Sequence, residues 1–287
     1  MSDNNWKFPR TTVGGISLPR MLIGTNWILG YSHTGHAADQ MIHARNRNAD
    51  AIVAILDAYL DYGVDAIMGP ISTAEDYFID ALKITEEKRG VEIIKIDTPT
   101  INVDDNDSAR KEARDLIERG AKLGCKFCLP HHTRVEQLVD KNKEEIRRIN
   151  DYLTMIRDAG MVPGFSAHMP EIILYSDQNG YDVETYIQLF NCLGFLMQIE
   201  VETVARIIHD AKKPVMTIKP MAAGRVTPYV GLTFAFNAIR PIDMVTVGAF
   251  TPAEVVEDIE IARAALEHRF PNIEKRSSPA AAQSLLK

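Results

Sequence analysis

Eight short apolar runs, each followed by a stretch with helical periodicity, constrain this chain more than any other feature. The runs are MLIGT (21–25), VDAIM (64–68), VEIIKI (91–96), KFCL (126–129), MVPGFS (161–166), TYIQLF (185–190), VMTI (215–218) and MVTV (244–247). Between them the apolar residues recur at the 3.6-residue period, as in Ile52, Ile55, Leu56 and Tyr59, or Val201, Val204, Ile207 and Ile208, which is the core-facing stripe of an amphipathic helix. Gly63, Gly90 and Gly160 each stand just before a run, where a helix end in the left-handed region favours glycine. Eight strand–helix units with right-handed crossovers close most naturally into an α/β fold of the (β/α)8 TIM-barrel type; a doubly wound sheet is the alternative. No linker or composition shift divides the chain, so a single domain is expected over residues 8–270, with 271–287 as a C-terminal tail. The interval after the first run is long: residues 26–50 hold three of the eight histidines and read as a large loop or lid over the barrel mouth.

The formal charge of −7 over 287 residues argues against a nucleic-acid or anionic-membrane surface. No apolar run approaches the roughly 18 residues of a membrane span, and MSDNNWKFPR has no signal-like apolar segment. A cytoplasmic protein is the expectation; its oligomeric state stays open. Three cysteines, Cys125, Cys128 and Cys192, cannot make a disulfide framework. Cys125 and Cys128 fall inside an expected strand, on opposite faces by the period of two, and read as buried, inert thiols; on a turn the same spacing would suit a redox or zinc pair.

The order of several local patterns resembles the aldo-keto reductase superfamily. LIGTNW is similar to that family's first strand, LGCKFCLPHH to its fourth, AGMVPGFSAHMPEII to its fifth, IKPMAAGR to its seventh, and FAFNAIRPIDMVTVGAFTPAEVVEDI to its eighth strand and last helix. The resemblance implies a (β/α)8 barrel and, in the family, carbonyl reduction by NADPH with an Asp, Tyr, Lys and His tetrad. Carried onto this sequence, the tetrad is mostly absent. Met68 stands at the Asp position, Ile71 at the Tyr position and Asp97 at the Lys position, while His131 or His132 keeps the histidine. TPAEVVED also lacks an arginine where the family grips the 2′-phosphate.

In such a barrel the active site forms at the C-terminal ends of the strands, where Asn26, Asp97, His131, His132, His168, Asn191 and Lys219 are expected. His33, His36 and Glu200 come from adjacent loops, whereas His43, His209 and His268 read as surface or charged-stretch residues. Carboxylate and imidazole suit a divalent ion such as zinc, with His33, Asp97, His131 and His168 as the ligand set. Asp97, His131, His132 and Lys219 are the catalytic candidates; Asp97 and at least one histidine are expected to share a polar pocket below the 26–50 segment. Lys219 could form a Schiff base if desolvated. MAAGR (221–225) and GAFT (248–251) follow the last two strands, and Gly224, Arg225, Gly248 and Thr251 are candidate cofactor or phosphate contacts; read otherwise, they are tight turns.

Three functions follow as expectations. The first is an enzyme of the hydrolase, lyase or isomerase class, using metal-assisted or acid–base chemistry on a small anionic metabolite, phosphorylated or carboxylate. The second is an NADPH-binding oxidoreductase with an altered proton donor. The third is a non-catalytic ligand-binding barrel.

Overall fold

The computed structural model describes residues 6–273; from residue 274 the expected tail lies outside them. Eight parallel strands close into one barrel: β1 (Met21–Gly24), β2 (Ala66–Gly69), β3 (Ile94–Asp97), β4 (Cys125–Cys128), β5 (Val162–Ala167), β6 (Thr185–Leu189), β7 (Val215–Ile218) and β8 (Met244–Val247). Every expected strand is present, with ends shifted by up to three residues. Closure is made by β8 pairing β1, with Val245, Thr246 and Val247 opposite Met21, Leu22 and Ile23. The principal helices are α1 (Ala49–Leu60), α2 (Asp76–Arg89), α3 (Asp107–Lys122), α4 (Ile149–Asp158), α5 (Glu171–Asn179), α6 (Val201–Asp210), α7 (Pro228–Ala238) and α8 (Pro252–Leu266).

Strand alternation separates two apolar layers. Leu22, Ala66, Met68, Ile96, Phe127, Leu129, Ile187, Met216 and Met244 fill the barrel interior. Ile23, Ile67, Phe165, Tyr186, Val215 and Val245 point the other way, into the helices. The α1 stripe behaves as its period predicts, with Ile52, Ile55, Leu56 and Tyr59 all buried. Its start is set by Asn48, whose side chain accepts from Ala51 N–H, a cap worth about 1 kcal/mol. In α6, Val204 and Ile208 are buried, while Val201 and Ile207 are partly covered.

Two features depart from the expectation. A hairpin, Arg10–Val13 with Ile16–Pro19, precedes the barrel and sends Val13 and Leu18 into the interior cluster, plugging its N-terminal end. Its two turn residues, Gly14 and Gly15, both have positive φ, as a two-residue type I′ turn requires. The 26–50 segment is largely helical rather than a loop: Asn26–Leu29 and His36–Asn46 form helices. Asn46 Nδ2 donates to the carbonyls of Trp27 and Phe250, and Gly30, at φ +82°, lies so close to the His43 ring that any Cβ would collide with it. This segment is therefore a packed cover over one side of the mouth.

The cysteine pair is also corrected. Lys95 and Ile96 pair with Cys125 and Phe127, a register shift that skips Lys126. This bulge turns both Cys125 and Cys128 into the strand–helix layer instead of onto opposite faces. Both thiols are buried; burial, then the nearby Asp97, pushes Cys125 up to about 12 and Cys128 well above the ordinary thiol range. Among the described residues no helix is long and apolar enough to cross a membrane.

Candidate active site

A cavity of about 940 Å³ opens at the C-terminal ends of the strands. Its floor carries Met68, Ile187 and Ile218, and Asn26, Trp27, Tyr31 and His33 of the cover form one wall. Of the residues expected there, Asn26, His33, His131, His132, His168 and Lys219 all line it, as do Gly224, Arg225 and Gly248.

The centre of the cavity is a lysine–imidazole cluster. Lys219, immediately after β7, places Nζ 2.8 Å from His33 Nε2, and Asn26 Nδ2 lies 3.2 Å from the same nitrogen. Two donors facing one ring nitrogen make His33 Nε2 the acceptor and leave the ring proton on Nδ1. Burial, and then the Lys219 charge, lowers the His33 pKa. Burial alone lowers Lys219 to about 8, so its neutral amine is well populated just above neutrality. Opposite this pair, after β4 and β5, the rings form a column: His131 and His132 have ring centres 4.3 Å apart, and His132 stacks on His168 at 3.6 Å and 14°. Burial, then His132, pushes His131 down to about 4 and His168 to about 3. Both therefore stay neutral in ordinary buffers.

Glu136 organises this column from behind. Its Oε1 accepts from the backbone N–H of His168 at 2.7 Å and of Met169 at 3.1 Å, and its Oε2 lies 3.5 Å from His132 Nδ1. Burial opposes the Glu136 charge, but those donors outweigh it and hold its pKa below the usual carboxylate range. The i,i+4 relation of Glu136 to His132, on the turn after β4, was the available sequence signal. Ser166, Thr98, Thr100 and Thr73 add hydroxyls to the lining; strand parity would have selected Ser166, two residues before His168.

The loop after β7 is strained. Lys219, Ala222 and Ala223 have φ of +59°, +49° and +54°, a region that costs a non-glycine residue on the order of 1 kcal/mol or more and clusters at functional sites. Arg225 follows, its guanidinium 4.1 Å from the Phe195 ring centre and its Nη1 donating to Ala222 O.

Asp97 is the main correction. Ile96 points into the barrel interior, so the next residue faces outward, and Asp97 is fully buried behind the wall. Ser72 N–H donates to its Oδ1 at 3.1 Å, and Oδ2 has no hydrogen-bond partner and abuts Gly120 of α3. It shares no pocket with the histidines. The proposed ligand set of His33, Asp97, His131 and His168 is consequently not assembled, and His132 and His168 stack instead of converging on a common point. Among the described residues no group of three or more His, Cys, Asp or Glu is placed to hold a metal ion, so the expected zinc-type site has no support. Asn191 is buried, bracing its own loop through bonds to Leu193 N, Phe195 N and Phe195 O, and neither His36 nor Glu200 lines the cavity.

Solved structures resemble this barrel along nearly its whole length. They include a candidate aldo-keto reductase from Pseudomonas aeruginosa (TM-score 0.63, 16% identity, covering 92% of this chain and 99% of that one). Glycerol dehydrogenase from Gluconobacter oxydans matches at TM-score 0.58 and 12% identity, over 94% and 98% of the two chains. An aldo-keto reductase from Bacillus halodurans in its holo form matches at 0.56 and 9%, over 95% and 99%. The fold is an aldo-keto reductase-like barrel. No family model and no curated protein matches the sequence; identities of 16%, 12% and 9% to these barrels mark the chain as a divergent version of the fold. The tetrad positions bear this out: Met68 lines the cavity, Ile71 is fully buried outside it, and Asp97 faces the helices.

NADPH, which that family employs, does not fit the residues at the α8 end. Glu254 there closes a capping box with Thr251, its Oε2 accepting from the N–H groups of Phe250 at 2.6 Å and Thr251 at 3.2 Å. The backbone donors that a phosphate would use at this helix start are thus already bound to a carboxylate. Thr251, expected as a cofactor contact, spends its hydroxyl on Glu254 N–H. Glu254, Glu257 and Asp258 all line that end of the cavity; burial, then Glu254, raises Asp258 to about 8. Asp258 is then a neutral acid near pH 7, and it is the Glu254 carboxylate in this position that repels a 2′-phosphate.

Proposed function

We propose that this barrel is an enzyme of acid–base chemistry on a small anionic metabolite and not a tetrad-type carbonyl reductase. The observation that carries the reading is the 2.8 Å contact between Lys219 Nζ and His33 Nε2 inside a cavity of imidazoles. An amine of pKa about 8 beside an unprotonated imidazole is matched to proton transfer near neutral pH. Arg225 brings a guanidinium to the lining and would hold a carboxylate or phosphate. The neutral rings of His131 and His168, with Ser166, would orient the rest of the substrate. Lys219 takes a proton from carbon or oxygen of the bound anion, and His33 accepts or returns it.

Lyase or isomerase chemistry that begins by removing a proton next to a carbonyl suits this arrangement. The test is hydrogen exchange. The purified protein is incubated in ²H₂O with a panel of small 2-oxo and 2-hydroxy acids and their phosphorylated relatives, and loss of the α-proton signal is followed by NMR. Exchange of at least one acid is expected, with a loss of about 10²–10⁴-fold in Lys219→Met, the usual value of a general base. Absence of exchange across the panel, or exchange that Lys219→Met leaves unchanged, overturns the reading.

A further inference from the structure

We propose that the Lys219 amine forms a covalent iminium with a small anion that carries a ketone or aldehyde, His33 serving as the proton carrier of the condensation. The proposal rests on the acid–base reading above and names its substrate class: 2-oxo acids and phosphorylated ketones.

Several observations favour a nucleophile over a lysine that merely binds charge. A binding lysine ordinarily points at a carboxylate, yet the close contact of Lys219 Nζ is a ring nitrogen, His33 Nε2 at 2.8 Å. Among the described residues no ion pair engages it. The amine faces a cavity with an apolar floor of Met68, Ile187 and Ile218, where desolvation disfavours the ammonium form. Its backbone is held at φ +59°, so the loop accepts strain to place this side chain. Asn26 fixes the acceptor nitrogen of His33 from the other side at 3.2 Å. Arg225, on the same loop as Lys219, lines the cavity where a carboxylate or phosphate of the substrate would need a counter-charge.

The step balances without any further reagent. The Lys219 ammonium passes one proton to His33 Nε2, and the freed nitrogen lone pair attacks the carbonyl carbon. A C–N bond forms, and the C=O π pair moves onto oxygen, which collects a proton from the attacking nitrogen. Imidazolium His33 then protonates that hydroxyl, the C–O bond breaks, and water leaves. Ammonium plus carbonyl thereby becomes protonated iminium plus water, with His33 restored. The iminium is an electron sink that acidifies the adjacent C–H, and the restored neutral His33, not the lysine now bound in the iminium, takes that proton.

Borohydride trapping with peptide mapping tests this on the full chain. Pyruvate, 2-oxoglutarate, glyoxylate and dihydroxyacetone phosphate are each incubated with the protein, reduced, and scored by intact mass and by the tryptic peptide that carries the adduct. One adduct per chain on Lys219 with at least one of the four is expected. It should be absent in Lys219→Arg and form about 10²-fold more slowly in His33→Gln. An adduct spread over other lysines, or equal in Lys219→Arg, overturns the proposal. Proton exchange without any trapped adduct also overturns it while leaving the acid–base reading intact. If neither exchange nor adduct is seen, both fall. The wild-type peptide map needs no variant, so misfolding of either mutant leaves the result decisive.

Discussion

Replacing Asp97 with asparagine should change how stability depends on pH while sparing the active site. The carboxyl is fully buried between β3 and α3, with Oδ2 lacking a partner and packed on Gly120. Burial raises its pKa from 3.8 to about 6, against the opposing bonds from Ser72, Ile71 and Thr98. Because the folded value lies above the unfolded one, the folded state prefers the protonated acid. Its contribution is complete below about pH 4 and is lost as pH rises through 6. About two pKa units at about 1.4 kcal/mol each give roughly 3 kcal/mol of lost stability between those limits. Asp97→Asn has no proton to lose, so the stability of the variant minus that of wild type should grow by roughly 3 kcal/mol between pH 4 and pH 8. Urea unfolding at one-unit pH intervals measures this, and every other titrating group cancels in the difference. A difference that stays constant with pH would show that the carboxyl is not ionising against burial. Anion binding at the cavity, read from Trp27 fluorescence, should be unchanged; its loss in Asp97→Asn would return Asp97 to the active site.

Further outcomes follow from the same structure. Native protein should expose one readily titratable thiol, Cys192, to a disulfide reagent, and all three after denaturation, since Cys125 and Cys128 are buried and held as thiols; fast reaction of two or three in the native state contradicts the bulged strand. NADPH should leave Trp27 emission unquenched at concentrations up to about a hundred micromolar, the scale on which enzymes ordinarily bind such molecules. Saturable quenching below that range would refute the charge argument at α8.

Much of this molecule was legible in the order of its residues, and the failures have identifiable causes. The eight strands and their helices follow from two periodicities that burial enforces, so only their ends moved. The convergence of Asn26, His131, His132, His168 and Lys219 followed from strand-end position alone, because a parallel barrel gathers those ends at one mouth. Strand-end position alone does not place Asp97, because side-chain parity sets its direction: Ile94 and Ile96 occupy the inward positions of IKID, which leaves Lys95 and Asp97 outside. Parity in turn failed for Cys125 and Cys128, where a bulge that no composition signal marks shifts the register. The plug hairpin carried a readable signal in Gly14-Gly15 between β-branched residues. By contrast, the pairing of His33 with Lys219 spans 186 positions and depends on how the cover folds over the mouth, which local pattern does not specify.

The ionisation of Lys219 itself tests the account most directly. Reductive ¹³C-methylation of the protein, with the resonance assigned through Lys219→Arg, allows the amine to be titrated by NMR. Burial in the cavity predicts an apparent pKa near 8, which falls further in His33→Gln, because loss of the imidazole acceptor removes a bond that favours the ammonium form. A Lys219 resonance that titrates at the ordinary lysine value of about 10.4, unaffected by His33→Gln, would contradict both the acid–base site and the nucleophile built on it.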